Sequence, residues 1–296
     1  MLDFLFVVNN KSGNNQSTTW NDVINNFFTD KDQTFKIYNL PERFELAQIR
    51  DHIANQQPKN VIAVGGDGTV TMLANIIAGT NMALGILPAG SANGMAKELG
   101  IPENAQDALQ IILEAKIKHC DLIKINSANY CLHLSDIGLN AHLIKHFDEG
   151  KLRGKLGYAL VILKTLWQKE KMQVVIKTKD IEVRRNAFMV VLANATKYGT
   201  GAVINPHGNL RDGLFEVIIV RKLALGSLLQ MLLKPGIFNP KKIEIIPSTS
   251  VEITTLRKTH FQIDGEYQGR IKNINAEICE GILQIIEPST SSNQII

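Results

Sequence analysis

The chain has 296 residues, 45% of them hydrophobic and 20% charged, with a formal net charge of +4. That composition is ordinary for a soluble globular enzyme, and the length suits two modest domains. The charge is too mild to argue for a nucleic-acid partner, and no run approaches the ~18–20 apolar residues of a membrane span.

Three cysteines, Cys120, Cys131 and Cys279, form no CxxC pair and leave one over, which fits a reduced cytoplasmic setting. His142 and His146 read as two faces of one helix, not as a zinc site. The apolar start, Met1–Val8, has no basic leader and no cleavage pattern, so it reads as a first strand, Phe4–Val8. Helix Trp20–Phe28, strand Thr34–Asn39 and helix Glu42–Asn55 follow.

Strand Asn60–Val64 leads into Gly65-Gly66-Asp67-Gly68-Thr69, and helical spacing runs from Val70 to Ala78. Glycines allow a sharp turn and a close backbone approach, and the positive end of a helix there favours an anion such as phosphate. In isolation such a cluster is a plain tight turn. A second unit follows, however: strand Ala83–Leu87, loop Pro88-Ala89-Gly90-Ser91-Ala92-Asn93-Gly94, and a helix from Met95 to near Gly100. Two such units in succession predict parallel strands with right-handed crossovers, and both loops at the carboxyl edge of one sheet. Neither a Walker loop nor G-x-G-x-x-G occurs.

Helix Ala105–Ala115 closes the α/β rhythm. Ten short strands are then expected: Asp121–Ile125, Tyr130–Leu134, Gln173–Thr178, Ile181–Arg185, Phe188–Asn194, Phe215–Arg221, Lys242–Pro247, Val251–Thr255, His260–Ile263 and Ile274–Ile278. They favour an antiparallel sandwich or barrel, interrupted by helices at Asn140–Gln168 and Leu223–Lys234. The predicted fold class is thus an α/β domain with a parallel sheet over 1–122, and a β-rich domain over 123–288. A disordered tail is expected over 289–296. Lys145–Lys171 carries seven Lys/Arg against three acids; it reads either as a solvated basic helix face or as a helix leaning on an anionic membrane. Asp264-Gly265 reads either as a hairpin corner or as a rigidly held catalytic carboxylate.

The ordered motifs resemble the diacylglycerol kinase catalytic-domain superfamily, which includes bacterial lipid kinases and the sphingosine and ceramide kinases. They are Asn9-Asn10-Lys11-Ser12-Gly13, Gly65 to Thr69, Leu87 to Asn93, Asp212-Gly213-Leu214-Phe215-Glu216 and Ile263-Asp264-Gly265-Glu266. The resemblance implies an ATP-dependent lipid kinase with an NAD-kinase-like nucleotide domain, a β-sandwich acceptor domain and a reaction cleft between them. By that likeness Gly65, Gly66, Asp67, Gly68 and Thr69 cradle the ATP phosphates, with Ser91 and Asn93 from the second loop and Asn9 bracing the first. Asn39 takes the place of a nucleotide-contacting Thr. Asp264 is then the catalytic base with Glu266 beside it, Asp67 is the third catalytic acid, and a structural Mg2+ is held by Asn209, Asp212 and Leu214. The partners implied are a membrane lipid substrate and an anionic membrane surface, with no nucleic acid and with a homodimer left open. Thr71-Met72 and Gly94 depart from the family's usual residues. Two alternatives stay beside the lipid kinase: an NAD kinase, and a silent member that binds nucleotide or lipid without chemistry.

Overall fold

The structure is a computed structural model that describes residues 2–10, 19–127, 129–139, 141, 171–197, 203–222 and 242–289. Apart from residues 141 and 171, the expected helices over 140–168 and 223–234 and the basic segment 145–171 lie outside the described residues. So does the tail from 290. The chain divides into two units, Met1–Cys120 with Gly281–Ile296, and Asp121–Glu280.

In the first unit, β1 (Phe4–Val8), β2 (Phe35–Asn39), β3 (Asn60–Gly65), β4 (Ala83–Pro88) and the end of β14 (Glu266–Ile286) form a sheet in the order β2-β1-β3-β4-β14. All four pairings are parallel. Every residue of β1, β3 and β4 is buried, as befits strands covered on both faces, and their sequences are correspondingly continuous apolar runs. The chain passes from β1 to β2 on one side, then crosses to β3 on the other. The sheet's switch point therefore lies between the carboxyl ends of β1 and β3, where such sheets bind ligands.

The helices are α1 (Trp20–Phe28), α2 (Leu46–Gln56), α3 (Asp67–Ile77), α4 (Gly94–Glu98) and α5 (Ala105–Glu114). Local chemistry sets their ends. Thr19 and Asp22 make a reciprocal capping box at α1, and the Asn104 side chain accepts from the first-turn N–H groups of α5. At the strand entrances, the Lys59 ammonium and bonds from Thr34 hold the Asp3 carboxyl well below the usual carboxylate range.

The second unit is antiparallel. It contains β5 (Ile117–Ile125, from Asp121 onward), β6 (Asn129–Cys131), β7 (Leu134–Gly138), β8 (Met172–Thr178), β9 (Glu182–Ala187), β10 (Met189–Ala193), β11 (Phe215–Val220), β12 (Ile243–Ser248), β13 (Ser250–Ile263) and β14 to Glu280. The strand order is β12-β11-β10-β7-β13, and β13 is shared. Val251 to Thr255 pair with β8, Phe261 to Ile263 pair with β7, and its other edge takes β14. Val190, Leu192, Val217 and Ile219 point into the main core, whereas Val191, Ala193, Ile218 and Val220 fill a second cluster on the opposite face. These layers are the β-sandwich that the turn-punctuated strands predict.

Beyond the strand expected at Tyr130–Leu134, which is divided between β6 and β7, two features differ from the sequence reading. The strands expected at Val251–Thr255 and His260–Ile263 are one bulged strand, and Ile274–Ile278 is a piece of a 21-residue one. Thr254 to Thr259 and the stretch around Gly269 are polar and glycine-containing, so the sequence looks broken where the backbone ladder continues. The second is the return of β14 to the first unit, where Gln284 and Ile285 pair with Ala83 and Leu84. A single cut at residue 122 does not anticipate that return.

Candidate active site

The glycine loop sits at the switch point. Asn9, directly after β1, donates its backbone N–H to Val64 O (2.9 Å) and its side-chain amide to Thr69 Oγ1 (3.1 Å). It thereby ties the carboxyl end of β1 to the first turn of α3. None of Gly65, Gly66, Gly68 or Gly90 has a left-handed backbone, and at Gly65, Gly66 and Gly90 the requirement is close approach. A Cβ on Gly65 would stand 2.5 Å from Thr69 Oγ1, and one on Gly90 would stand 2.4 Å from Gly66 Cα. The two loops pack backbone against backbone, and Ala89 N–H donates to Gly65 O at 2.9 Å.

Asp67 is the acid of the first loop and also caps α4, the helix that follows the second loop. Its carboxylate accepts Gly94 N–H (2.9 Å) and Met95 N–H (3.0 Å), satisfying the first amides of α4. Asn93, left-handed at φ 50°, folds back on its own loop: its side chain accepts from Gly90 N–H and donates to Gly90 O. Ser91 and Gly68 are exposed at the same edge. The Asn39 side chain accepts from the Asn10 amide at 3.3 Å. The N–H groups of Asp67 and Gly68 open α3, where no intrahelical acceptor exists. The loop is thus stripped of side-chain bulk and presents donors at a helix's positive end, a surface suited to phosphate.

In the second unit Asp264 answers to both of its sequence readings. Asp264 (φ 47°) and Gly265 (φ 88°) form the left-handed corner joining β13 to β14, which is the hairpin role of Asp-Gly. The same carboxylate is also gripped by a loop. Its Oδ1 accepts His133 N–H (2.8 Å), Leu134 N–H (3.0 Å) and the Cys131 thiol (3.2 Å), while Oδ2 accepts Leu132 N–H (2.8 Å). Burial and the neighbouring Asp264 charge push the Cys131 thiol well above its ordinary range, so it serves as a donor. Glu266, two residues on, is exposed.

Four residues outside the motifs hold this corner. Gln262, almost fully buried, accepts Gly265 N–H (2.7 Å) and donates to the buried Asp136 carboxylate (2.5 Å). Asn194 is fully buried and donates to both Asp121 O (2.7 Å) and Leu132 O (3.0 Å). Asp121 in turn accepts Gly213 N–H at 2.8 Å. A continuous hydrogen-bonded path therefore joins the Gly213 turn to the Asp264 corner through Asp121, Asn194 and Leu132. The sequence offers one signal for these residues: polar side chains inside apolar runs, as in Leu134-Ser135-Asp136-Ile137 and Phe261-Gln262-Ile263.

The resemblance implies a structural Mg2+ at the turn of Asn209, Asp212 and Leu214. The Asp212 carboxylate is exposed and accepts Leu214 N–H at 3.1 Å; Asn209 is exposed as well. No group of three or more His, Cys, Asp and Glu side chains gathers among the described residues. One carboxylate and two carbonyls on an exposed turn are an all-oxygen set compatible with a hard cation that keeps several waters, not with a closed protein cage. No helix among the described residues is long and apolar enough to cross a membrane.

Residues 3–125 match the diacylglycerol kinase catalytic domain, and residues 135–287 match the YegS C-terminal NAD kinase beta sandwich-like domain. A protein of Chromohalobacter salexigens named "Probable lipid kinase YegS-like" is 30% identical over 246 residues, covering 78% of this chain and 77% of the relative. A diacylglycerol kinase structure from Bacillus anthracis superposes with a TM-score of 0.73 at 19% identity, over 97% of both chains. An NAD kinase of Archaeoglobus fulgidus in complex with ATP shares the fold at a TM-score of 0.57 and 14% identity, over 96% of this chain and 93% of that one. With both halves matched in order and a relative at that identity, the chain belongs to the diacylglycerol kinase catalytic-domain family of lipid kinases.

Proposed function

We propose that this chain transfers the γ-phosphoryl group of ATP to the hydroxyl of a membrane lipid. The observation that carries the reading is the backbone-to-backbone seating of the two glycine loops, with the start of α3 presented at the switch point. Phosphoryl transfer needs positioning and charge stabilisation more than covalent help, and bare N–H donors at a helix start provide both. Gly65 to Thr69 and Ser91 bind the phosphates, while Asn9 fixes the turn through Thr69.

On the acceptor side, the hydroxyl proton passes to a carboxylate. Asp264 fits that role because its bonds to residues 131–134 leave it a single orientation. Those same bonds occupy its oxygens, so taking a proton displaces at least one donor, and the exposed Glu266 is the neighbouring carboxylate that shares the task. Asn209, Asp212 and Leu214 would hold a structural Mg2+, which when bound would brace their exposed turn with oxygen ligands.

A side-by-side assay separates this reading from an NAD kinase. The purified protein is incubated with labelled ATP and Mg2+, once with mixed micelles of diacylglycerol, sphingoid base and ceramide, and once with NAD alone. Label in a lipid and none in NAD supports the proposal; label in NAD without lipid overturns it.

A further inference from the structure

Away from these motifs, the second unit carries a basic cavity of about 310 Å³ lined by Lys171, Arg184, Arg185, Asn186, Arg221 and Lys222. Lys171 precedes β8, Arg184 to Asn186 lie on β9, and Arg221 and Lys222 follow β11. Five of the six lining residues are cations. Glu244 of β12 is the carboxylate paired there: it takes the Arg185 fork at 2.8 Å through Nε and at 2.8 Å through Nη2, with Arg221 at 4.0 Å. Arg185 also gives Nη1 to Arg184 O at 3.1 Å, so each of its three side-chain nitrogens is engaged and the group forms a fixed wall. Lys171, Arg184 and Lys222 make no ion pair among the described residues. The Lys171 ammonium lies 5.3 Å over the Phe188 ring.

A solvated basic face would scatter its charges. Here three cations without an ion pair among the described residues converge with Arg221 on one concavity behind a rigid Arg–Glu wall, and like charges held together are unfavourable until an anion joins them. Arginine forks and lysine ammoniums recognise phosphate oxygens, and the cavity is large enough for a phosphate group with part of its attached alcohol.

We propose that this cavity is a phosphate-binding site, distinct from the glycine loops, which takes the headgroup of an anionic phospholipid and so seats the protein on its membrane. The choice of a lipid as the source of the phosphate rests on the lipid-kinase reading.

The test uses Arg184→Gln/Lys222→Gln, two exposed residues outside the proposed catalytic machinery, with Lys171→Gln/Arg221→Gln as a second pair should the first not melt cooperatively. Binding to phosphatidylcholine vesicles, with and without phosphatidylglycerol, is measured by sedimentation. A cation near an anionic surface contributes about 1 kcal/mol, so each removal weakens binding roughly 5-fold and the pair roughly 30-fold. That loss on anionic vesicles, with neutral vesicles unaffected, supports the proposal. If inorganic phosphate raises the melting temperature of the wild type but not of the variant, while vesicle binding is equal, the site takes soluble phosphate and the headgroup is ruled out. Equal behaviour in both arms overturns the site. Activity on micelles lacking anionic lipid should be the same in wild type and variant. Failure of the kinase reading would abolish that activity in both proteins without touching the vesicle result.

Discussion

Gly66 and Gly90 touch through their backbones: a Cβ placed on Gly90 would lie 2.4 Å from Gly66 Cα, with nothing flexible to yield. Two loops that are far apart in sequence become one surface at this contact. Gly90→Ala must therefore push the loops apart, and overpacking of this kind costs about 1–3 kcal/mol. We expect a lower melting temperature together with weakened binding of a non-hydrolysable ATP analogue, read by calorimetry. Normal nucleotide binding in Gly90→Ala would show that the loops do not act as one surface.

The Asp264 corner depends on Gln262, whose amide bridges Gly265 N–H and the Asp136 carboxylate. Gln262→Leu keeps the volume but takes one donor from the buried Asp136 carboxylate, which retains Ala141 N–H, and removes the acceptor of Gly265 N–H. Removing one partner of a buried hydrogen bond costs about 1–3 kcal/mol, and more where the group left is charged. Denaturant unfolding should report a loss of that order, and Gln262→Glu, which sets two buried carboxylates face to face, should be no better. A loss under ~1 kcal/mol for Gln262→Leu would mean that the bridge is not needed.

Arg185 on β9 and Glu244 on β12 join strands that each pair with only one neighbour among the described residues. The Arg185 fork holds the Glu244 carboxyl below its ordinary value, outweighing the effect of burial. A depressed carboxylate adds stability above its unfolded pKa, near 4.3, and loses it as pH falls through the lower folded value. Glu244→Gln should thus melt ~2–4 °C lower at neutral pH, for a contribution of about 1 kcal/mol. The gap should close in acid, below the folded pKa. A gap that persists there would assign the loss to packing.

Much of the first unit was legible from sequence because each buried parallel strand is an apolar run ended by glycine or a polar turn. β1 runs Phe4–Val8 in both readings, and α1 runs Trp20–Phe28 in both. The glycine loops were legible as loops, but the reason for the glycines was not: it is the distance between two backbones, which no local pattern encodes. Asp67 and Asn93 show the same limit. Their side chains serve α4 and the second loop in the structure, partners fixed only by the fold. In the second unit the short strands were readable and the long β13–β14 ribbon was not, since half-exposed strands carry polar residues like those of turns. Asn194 and Gln262 show only as polar residues inside apolar runs, a signal that marks a buried amide without naming its partners.

The central claim is that a lipid hydroxyl receives phosphate from ATP with the help of the Asp264 corner. The most direct measurement is label transfer from γ-labelled ATP to lipid in mixed micelles by wild type, Asp264→Asn and Glu266→Gln, with each melting curve recorded alongside. The account predicts a labelled lipid with wild type, and at least a 100-fold slower transfer with Asp264→Asn while that protein still melts cooperatively, since general-base help contributes about 10²–10⁴-fold. Glu266→Gln should be slowed as well. Undiminished transfer by a folded Asp264→Asn would reduce that carboxylate to a hairpin brace, and no labelled lipid from the wild type would contradict the account itself.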